Sequence, residues 1–377
     1  MSLECRDAAA GTGRESCEPL ALFVPGRLCL LGEHSDWAGE YRSLDSRLTP
    51  GRCLVTGTDQ GLWATAGAAD ELAISSVLPD GSRKDTHRFV LEEGALDRAA
   101  KERGFFSYAA GVAAEVVARF VTSGLRLEIT RADLPLGKGL SSSAAVCVLV
   151  ARAFNRVHRL GLSLRDEMEL AYAGERRAGS ACGRMDQICA LGRRSALLTF
   201  DGESFEVEAL APGGRLCLLV VDLGGVKDTR RILADLRACF PATPGTVAED
   251  VRRALGPLNA ALVERARDAL VAGDACVLGA LMAEAQAVFD RLVAPACPEL
   301  SAPRLHRVLS HPAVRELAWG GKGVGSQGDG CAQLVARGEG ERAELSCRIA
   351  SELGMRVLPL TLEPAPGGAA GSGEMPE

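Results

Sequence analysis

The chain has little of several features that mark common protein classes. Aromatic residues make up 4% of its 377 residues, the net charge is −6, and no C-x-x-C pair occurs. A negative net charge disfavours nucleic-acid binding, which needs a basic surface, so we expect no nucleic-acid partner. The cysteines lie apart and mostly inside apolar runs, as is typical of buried reduced thiols rather than disulfides or zinc ligands. We therefore expect a reducing compartment.

Long apolar segments are also missing. No uncharged apolar run reaches the roughly 18 residues of a membrane span, and the first 18 residues lack the apolar centre of a signal peptide. We therefore expect a cytoplasmic protein without membrane contact. A chain of this length, with 47% hydrophobic and 24% charged residues, is typical of two globular domains.

The pattern along the chain changes near residue 210. Before it, strand-like and helix-like segments mix, and a helical pattern covers 95–121; after it, 247–293 has the composition of two long helices. A Gly-rich loop is expected at 320–330 and an edge strand, carrying Pro359, at 355–362. We predict disordered tails at 1–18 and 364–377 around an N-terminal domain at 19–210 and a C-terminal domain at 211–363.

The segment PLGKGLSSSAA, residues 135–145, places glycines and serines directly before a predicted helix. A helix start has unpaired N–H groups and partial positive charge, and nearby glycines let the backbone wrap an anion such as phosphate. The order G-x-x-x-x-G-K-[ST] of a Walker A loop occurs nowhere in the chain. A simple glycine turn with a serine N-cap is the alternative.

Four segments together resemble the GHMP kinases, the family of galactokinase, homoserine kinase, mevalonate kinase and phosphomevalonate kinase. In family order they are PGRLCLLGEHSDWAG from residue 25, PLGKGLSSSAA from 135, CGRMDQ from 182 and GGKGVGSQGDG from 320. The resemblance implies two α+β domains, the first like ribosomal protein S5 domain 2 and the second ferredoxin-like. It also implies that ATP binds at Pro135, Gly137, Lys138, Gly139, Leu140, Ser141, Ser142, Ser143 and Ala144.

The same resemblance implies roles for four polar residues. Asp186 would be the catalytic carboxylate and Arg27 the cation that keeps it ionised and steadies charge during transfer. Ser143 and Glu175 would bind Mg²⁺, a cation that prefers oxygen ligands. The structural alternatives are a helix-capping Asp186, a surface ion pair for Arg27 and a solvated helix-end charge for Glu175.

Three polar residues after the first predicted strand suit a hydroxyl-rich acceptor. Glu33, His34 and Asp36 take the sugar-binding positions of the galactokinase pattern, and mevalonate kinases usually lack the acid at position 36. The resemblance therefore favours ATP-dependent phosphorylation of a monosaccharide at its anomeric hydroxyl. Trp37 could stack on the sugar or fill the core. Near 222–231, Lys227, Asp228 and Arg230 are further candidates for substrate contact.

Two departures from the family pattern affect the predicted substrate. The third signature contains Gln327 and Asp329, and the residues after Gly39 differ from those of galactokinases. A carboxylate near phosphates needs a compensating charge, for which Lys322 is a candidate. We therefore expect a sugar related to galactose or a sugar acid. A mevalonate-type kinase, a ligand sensor that has lost turnover and a purely structural Gly-rich protein are the alternatives.

Overall fold

The computed structural model describes residues 19–135 and 138–364. Its first half forms a seven-stranded sheet in which β1 pairs with β2, and the other strands follow the order β4-β3-β5-β2-β6-β7. Only the β3–β5 pair is parallel among these strands. The strands are β1 Leu20–Leu31, β2 Gly51–Ala69, β3 Leu72–Val77, β4 Arg83–Phe89, β5 Gly124–Ala132, β6 Ser195–Asp201 and β7 Ser204–Leu210.

Helices cover one face of this sheet and share its core. The predicted helix over 95–121 is two helices, separated by a turn around Gly104. The sequence Ser163-Leu-Arg-Asp166 predicts a capping box, and the structure has it: each of the two side chains accepts the other residue's backbone N–H. The helices are α1 Ser35–Glu40, α2 Glu93–Lys101, α3 Ser107–Arg119, α4 Ser142–His158 and α5 Leu164–Arg177, and a 3₁₀ helix follows at Asp186–Leu191.

A second, antiparallel sheet of four strands follows, in the order β11-β8-β10-β9. Its strands are β8 Leu216–Asp222, β9 Ala318–Gly323, β10 Cys331–Ala336 and β11 Arg356–Leu362. Pro359 lies on β11, at the sheet edge, as its missing N–H requires. The first part of the expected loop at 320–330 is instead the end of β9, and the turn begins after Gly323.

The remaining helices lie in the second half of the chain. The two long helices expected within 247–293 are present, preceded by a shorter helix and a π-helical segment, Ala254–Leu258, that contains Pro257. The helices are α6 Thr229–Arg237, α7 Thr246–Arg253, α8 Asn259–Ala272, α9 Ala275–Leu292, α10 Pro303–Leu309, α11 Pro312–Leu317 and α12 Glu339–Leu353. One apolar core runs from the first sheet through α8 and α9 to β8, so both sheets are packed against shared side chains.

The cysteines of 19–135 and 138–364 are free thiols, and most are buried. Burial raises the pKa of the Cys189 thiol to about 12, so that it remains protonated. No helix within the same residues combines the length and apolarity needed to cross a bilayer.

A buried ion pair joins α4, α5 and the 3₁₀ helix. Arg152 Nε donates to Glu167 Oε2 at 2.8 Å, and Arg152 Nη2 donates to the Ala190 carbonyl at 2.6 Å. Asn155 Nδ2 donates to the other oxygen of Glu167 at 2.8 Å. These bonds fix the helix after the serine-rich loop against the segment that carries Asp186.

We expect Arg152→Met to lower the free energy of unfolding by about 3–5 kcal/mol, because it leaves Glu167 buried without its cation. Urea unfolding followed by circular dichroism measures this. The matched control is Arg119→Met, which removes an exposed i, i+4 pair with Glu115 and should cost about 0.5 kcal/mol or less. Equal losses for the two variants would contradict a structural role for the buried pair.

Candidate active site

Arg27 joins three of the four signature segments. Its backbone N–H donates to the Leu140 carbonyl at 3.1 Å, and its guanidinium forms an ion pair with Asp186. Gly26 is needed here, since a Cβ on it would lie 2.8 Å from the Leu140 oxygen. The Nε and Nη1 atoms of Arg27 are buried and have no hydrogen-bond partner within the described residues. The expected catalytic pair is thus in contact, and Arg27 keeps N–H groups available for a ligand.

The serine-rich loop ends in an uncapped helix start. Ser141, the N-cap of α4, has φ +56°, and its side chain makes no capping hydrogen bond. The first N–H groups of this 17-residue helix therefore remain open to an anion, beside the hydroxyls of Ser142 and Ser143. The third signature packs directly on this loop, because a Cβ on Gly325 would lie 3.2 Å from the Gly139 Cα.

The other predicted ATP-binding residues take different positions. Lys138 Nζ forms an ion pair with Asp222 at 2.8 Å, so its charge is partly committed within the protein. Pro135, Leu140 and Ala144 are buried and shape the loop, while Gly139 and Ser141 line the cleft. Gly137 lies outside the described residues.

Ser143 and Glu175, the predicted metal ligands, are neighbours. The buried Glu175 carboxylate accepts hydrogen bonds from Gln187 Nε2 at 2.7 Å, Ser180 Oγ at 3.3 Å and the Ser143 hydroxyl. Burial raises the pKa of Glu175, which a bound cation would counteract. The residues of the described ranges hold no cluster of three or more His, Cys, Asp or Glu suited to a metal. The two oxygen donors fit Mg²⁺, which usually takes its other ligands from phosphate and water.

His34 presents an N–H group to the cleft. Its Nδ1 accepts a hydrogen bond from Trp37 Nε1 at 3.2 Å, so the neutral ring carries its proton on Nε2. That Nε2 atom is buried and has no partner at normal hydrogen-bond geometry among the described residues, although the backbone of Ser326 lies near enough to favour the protonated ring. Burial, followed by the positive charge of Lys227, lowers the pKa of His34 to about 3. At neutral pH the ring is therefore an uncharged hydrogen-bond donor.

Asp36 lies against the segment that carries Asp186. Its carboxylate accepts the backbone N–H groups of Trp37 and Met185, and burial raises its pKa. A Cβ on Gly183 would lie 1.9 Å from Asp36 Oδ2, so this approach requires glycine. Trp37 packs edge-on against Phe240, with ring centroids 5.4 Å apart, and also lines the cleft. Trp37 is therefore both a core residue and part of the cleft wall.

The structure does not bring Glu33 to the cleft with His34 and Asp36. Glu33 forms a buried ion pair with Lys322, whose Nζ also donates to the Gly323 carbonyl at 2.8 Å. The pair lies beside a smaller cavity between the two residues that follow β1 and helices α8 and α9. In the structure the Glu33 carboxylate therefore contacts β9 rather than lining the cleft, and a contact with the acceptor stays a prediction.

The sequence made Lys322 a candidate to compensate the charge of Asp329. In the structure Lys322 is instead paired with Glu33. Asp329 Oδ1 accepts the backbone N–H groups of Arg304 at 2.9 Å and Leu305 at 3.0 Å. These bonds satisfy free N–H groups at the start of α10 and turn the carboxylate away from the serine-rich loop. The unusual acid of the third signature is a structural residue.

Sequence reasoning identified only some of the residues that α6 and the segment before it contribute to the cleft. Lys227 lines the cleft as anticipated, whereas Asp228 caps α6 by accepting the N–H groups of Arg230 and Arg231. Thr229 and Leu233, one turn apart, also line the cleft, but nothing distinguished them in the sequence. The whole cleft has an empty volume of about 820 Å³ and lies between the two sheets' loops.

Comparison with known proteins agrees with this architecture. Residues 107–193 match the family model for the GHMP kinases N terminal domain. A galactokinase of Mannheimia succiniciproducens is 27% identical over 243 residues, which are 59% of this chain and 56% of that protein. The match thus spans little more than half the length of that relative.

Solved structures resemble nearly the whole chain. Lactococcus lactis galactokinase complexed with galactose gives a TM-score of 0.69 at 18% identity, covering 93% of this chain and 94% of that one. Methanococcus jannaschii mevalonate kinase gives 0.68 at 16% identity, covering 93% and 99%. The resemblance to the GHMP kinase family is confirmed, and the chain has the GHMP kinase fold.

His34 gives a pH-dependent prediction. Unfolded histidine binds a proton below about pH 6.5, but buried His34 does so only near pH 3, so its burial costs stability as pH falls below 6.5. We expect His34→Gln to reduce the loss of unfolding free energy between pH 7.5 and 5.0 by about 2 kcal/mol. Urea unfolding at both pH values measures this, with the exposed His87→Gln as control. The same pH dependence in wild type and His34→Gln would refute the argument.

Proposed function

We propose that this protein transfers the γ-phosphoryl group of ATP to a hydroxyl of a small metabolite, and that this metabolite is a monosaccharide phosphorylated at its anomeric position. The observation that supports this most directly is the Arg27–Asp186 ion pair, located in one cleft with the open start of α4. Phosphoryl transfer depends mainly on positioning and charge stabilisation, which these groups provide.

Each group has a defined role in this proposal. Asp186 accepts or orients the proton of the attacking hydroxyl, and Arg27 stabilises the developing negative charge while keeping Asp186 ionised. The N–H groups of α4 and the hydroxyls of Ser141 and Ser142 hold the phosphates. Mg²⁺ at Ser143 and Glu175 would neutralise phosphate charge during transfer.

A sugar acceptor suits the polar groups around Asp186. His34 Nε2–H and the free Arg27 N–H groups donate, while the Asp36 carboxylate accepts. A hydroxyl-rich molecule can satisfy both kinds of group, which would be costly to leave unpaired. A mevalonate-type acceptor is the second candidate, since both galactokinase and mevalonate kinase folds match this chain equally well. The contact between Arg27 and Asp186 argues against a ligand sensor that has lost turnover.

The proposal extends to organisation and location. The chain passes from the first sheet to the second between Leu210 and Leu216. This favours an ATP-binding domain at 19–210 and a C-terminal domain at 211–363. We place the activity in carbohydrate metabolism in the cytoplasm, with ATP and Mg²⁺ as the required small molecules.

ADP release in the presence of MgATP tests the activity. Galactose, arabinose, glucuronate, galacturonate and mevalonate form the acceptor panel. With the best acceptor, Asp186→Asn should reduce turnover by about 100-fold or more, because the proton acceptor is lost. The exposed Asp85→Asn is the control and should retain wild-type turnover. Acceptor-dependent ADP release that is unchanged in Asp186→Asn would refute the mechanism.

The contact between Gly183 and Asp36 gives a separate prediction. Gly183→Ala places a methyl group against Asp36 Oδ2, so the carboxylate or the Asp186 segment must move. A displacement of about 1 Å near reacting groups can cost about 100-fold in turnover, and we expect a loss of that order in kcat/KM for the acceptor. Gly104→Ala, where the new Cβ meets no atom within 4 Å, is the control. Equal activity of the two variants would show that Asp36 need not keep this position.

A further inference from the structure

Lys227 places a positive charge in the cleft that no carboxylate neutralises within residues 19–135 and 138–364. The half-buried side chain lines the cleft, and its Nζ donates to the Gln327 carbonyl at 2.8 Å. The other two cleft cations are in ion pairs, Arg27 with Asp186 and Lys138 with Asp222. One hydrogen bond leaves two ammonium N–H groups of Lys227 available.

The carboxylates nearest in the chain and in the adjoining loop have other partners. Asp228 caps α6, and Asp329 caps α10. Asp222 accepts from Lys138 and from the Gly224 N–H, and Glu33 is paired with Lys322. The protein therefore holds Lys227 without supplying it an anion.

Burial without an anion is unfavourable for an ammonium group. It lowers the pKa of Lys227 to about 8, and a bound anion would raise that pKa again. Groups in clefts whose pKa is strongly shifted often serve in ligand binding or catalysis. The unfavourable burial of the Lys227 charge is therefore consistent with a role in binding a ligand.

The position of Lys227 indicates which ligand it meets. Lys227 and His34 line the same cleft, and Lys227 donates to the carbonyl of Gln327, the neighbour of Ser326, which also lines the cleft. His34, Asp36 and Trp37 form the part of the cleft wall assigned to the acceptor, whereas the α4 start and Lys138 lie on the phosphate side. The free charge therefore lies beside the acceptor.

We propose that the acceptor carries an anionic group, a carboxylate or a phosphate, and that Lys227 binds it. This rests on the proposed phosphoryl transfer and narrows its substrate class to acidic sugars, such as sugar acids or sugar phosphates, rather than neutral sugars. The anionic group lies near Lys227 and His34, and the attacking hydroxyl lies near Asp186.

Binding measurements with MgADP present test the proposal independently of turnover. Isothermal titration calorimetry compares neutral galactose with two charged relatives: galacturonate, which carries a carboxylate, and galactose 6-phosphate, which carries a phosphate. Mevalonate serves as an acidic ligand that is not a sugar. A hydrogen bond to a charged group contributes enough for about 10- to 100-fold in affinity. We expect at least one anionic compound to bind that much more tightly than galactose.

Lys227→Met should remove that advantage, weakening the anionic ligand about 10- to 100-fold and galactose less than about threefold. Lys227→Arg, which keeps the charge, should retain most of it. Lys84→Met, a change of an exposed lysine on β4, is the matched control and should behave as wild type. Thermal unfolding of each variant verifies that it is folded.

Other outcomes overturn the inference. It fails if galactose binds as tightly as every anionic compound, if no compound in the panel binds, or if Lys227→Met weakens charged and neutral ligands alike. It also fails if this variant lowers kcat equally for all acceptors without changing their binding, because Lys227 would then contact the transferred phosphate. Selective anion binding without ADP release would instead disprove the proposed kinase activity.

Discussion

The candidate site depends on the position of Arg27. Arg27 is a residue of β1, and its backbone N–H donates a hydrogen bond to the Leu140 carbonyl. Its side chain forms an ion pair with Asp186, 159 residues later in the chain. One residue therefore sets the distance between the serine-rich loop and the carboxylate expected to act on the acceptor. Because β1 is paired along β2 and almost entirely buried, this anchor cannot shift without disturbing the first sheet.

A second set of buried polar contacts keeps the cleft in shape without lining it. Glu33 and Lys322 join the segment after β1 to β9, and Arg152 joins α4 to α5 and to the Asp186 segment. Buried ion pairs are not strongly stabilising in themselves, but breaking one is costly. They therefore suit positions where geometry matters more than stability. Arg27 and His34, by contrast, line the cleft and have buried N–H groups that a ligand could satisfy.

Local signals in the sequence predicted the parts of the structure that depend on nearby residues. The helix after Ser141, the Ser163–Asp166 capping box and the edge position of Pro359 all follow from backbone chemistry within a few residues. The four signature segments, through their resemblance to a family, also predicted that Arg27 and Asp186 would meet. That contact is invisible to local reasoning, since it depends on how distant strands pair.

The sequence could not show the contacts of side chains whose partners lie far along the chain. Glu33 resembled a sugar-binding residue because His34 and Asp36 follow it, but its partner is Lys322, 289 residues away. The alternation of polar and apolar residues in this region could not show which of the three neighbouring polar side chains contacts a distant strand. Thr229 and Leu233 were missed because they are ordinary residues at the start of an amphipathic helix. They line the cleft only because α6 lies beside it.

The unusual third signature acquires a physical explanation from these contacts. Asp329 caps α10, and Gln327 adopts φ +65° with a buried side chain close to Gly323, where a Cβ would lie 2.0 Å from its Oε1. In this conformation the Gln327 carbonyl accepts the hydrogen bond from Lys227. Gln327 and Asp329, the unusual residues of the third signature, thus hold the loop that orients Lys227. The start of α4 and its serines, by contrast, retain the family pattern. If the loop of the third signature is adapted to Lys227, its unusual residues are therefore explained by the acceptor rather than by the nucleotide.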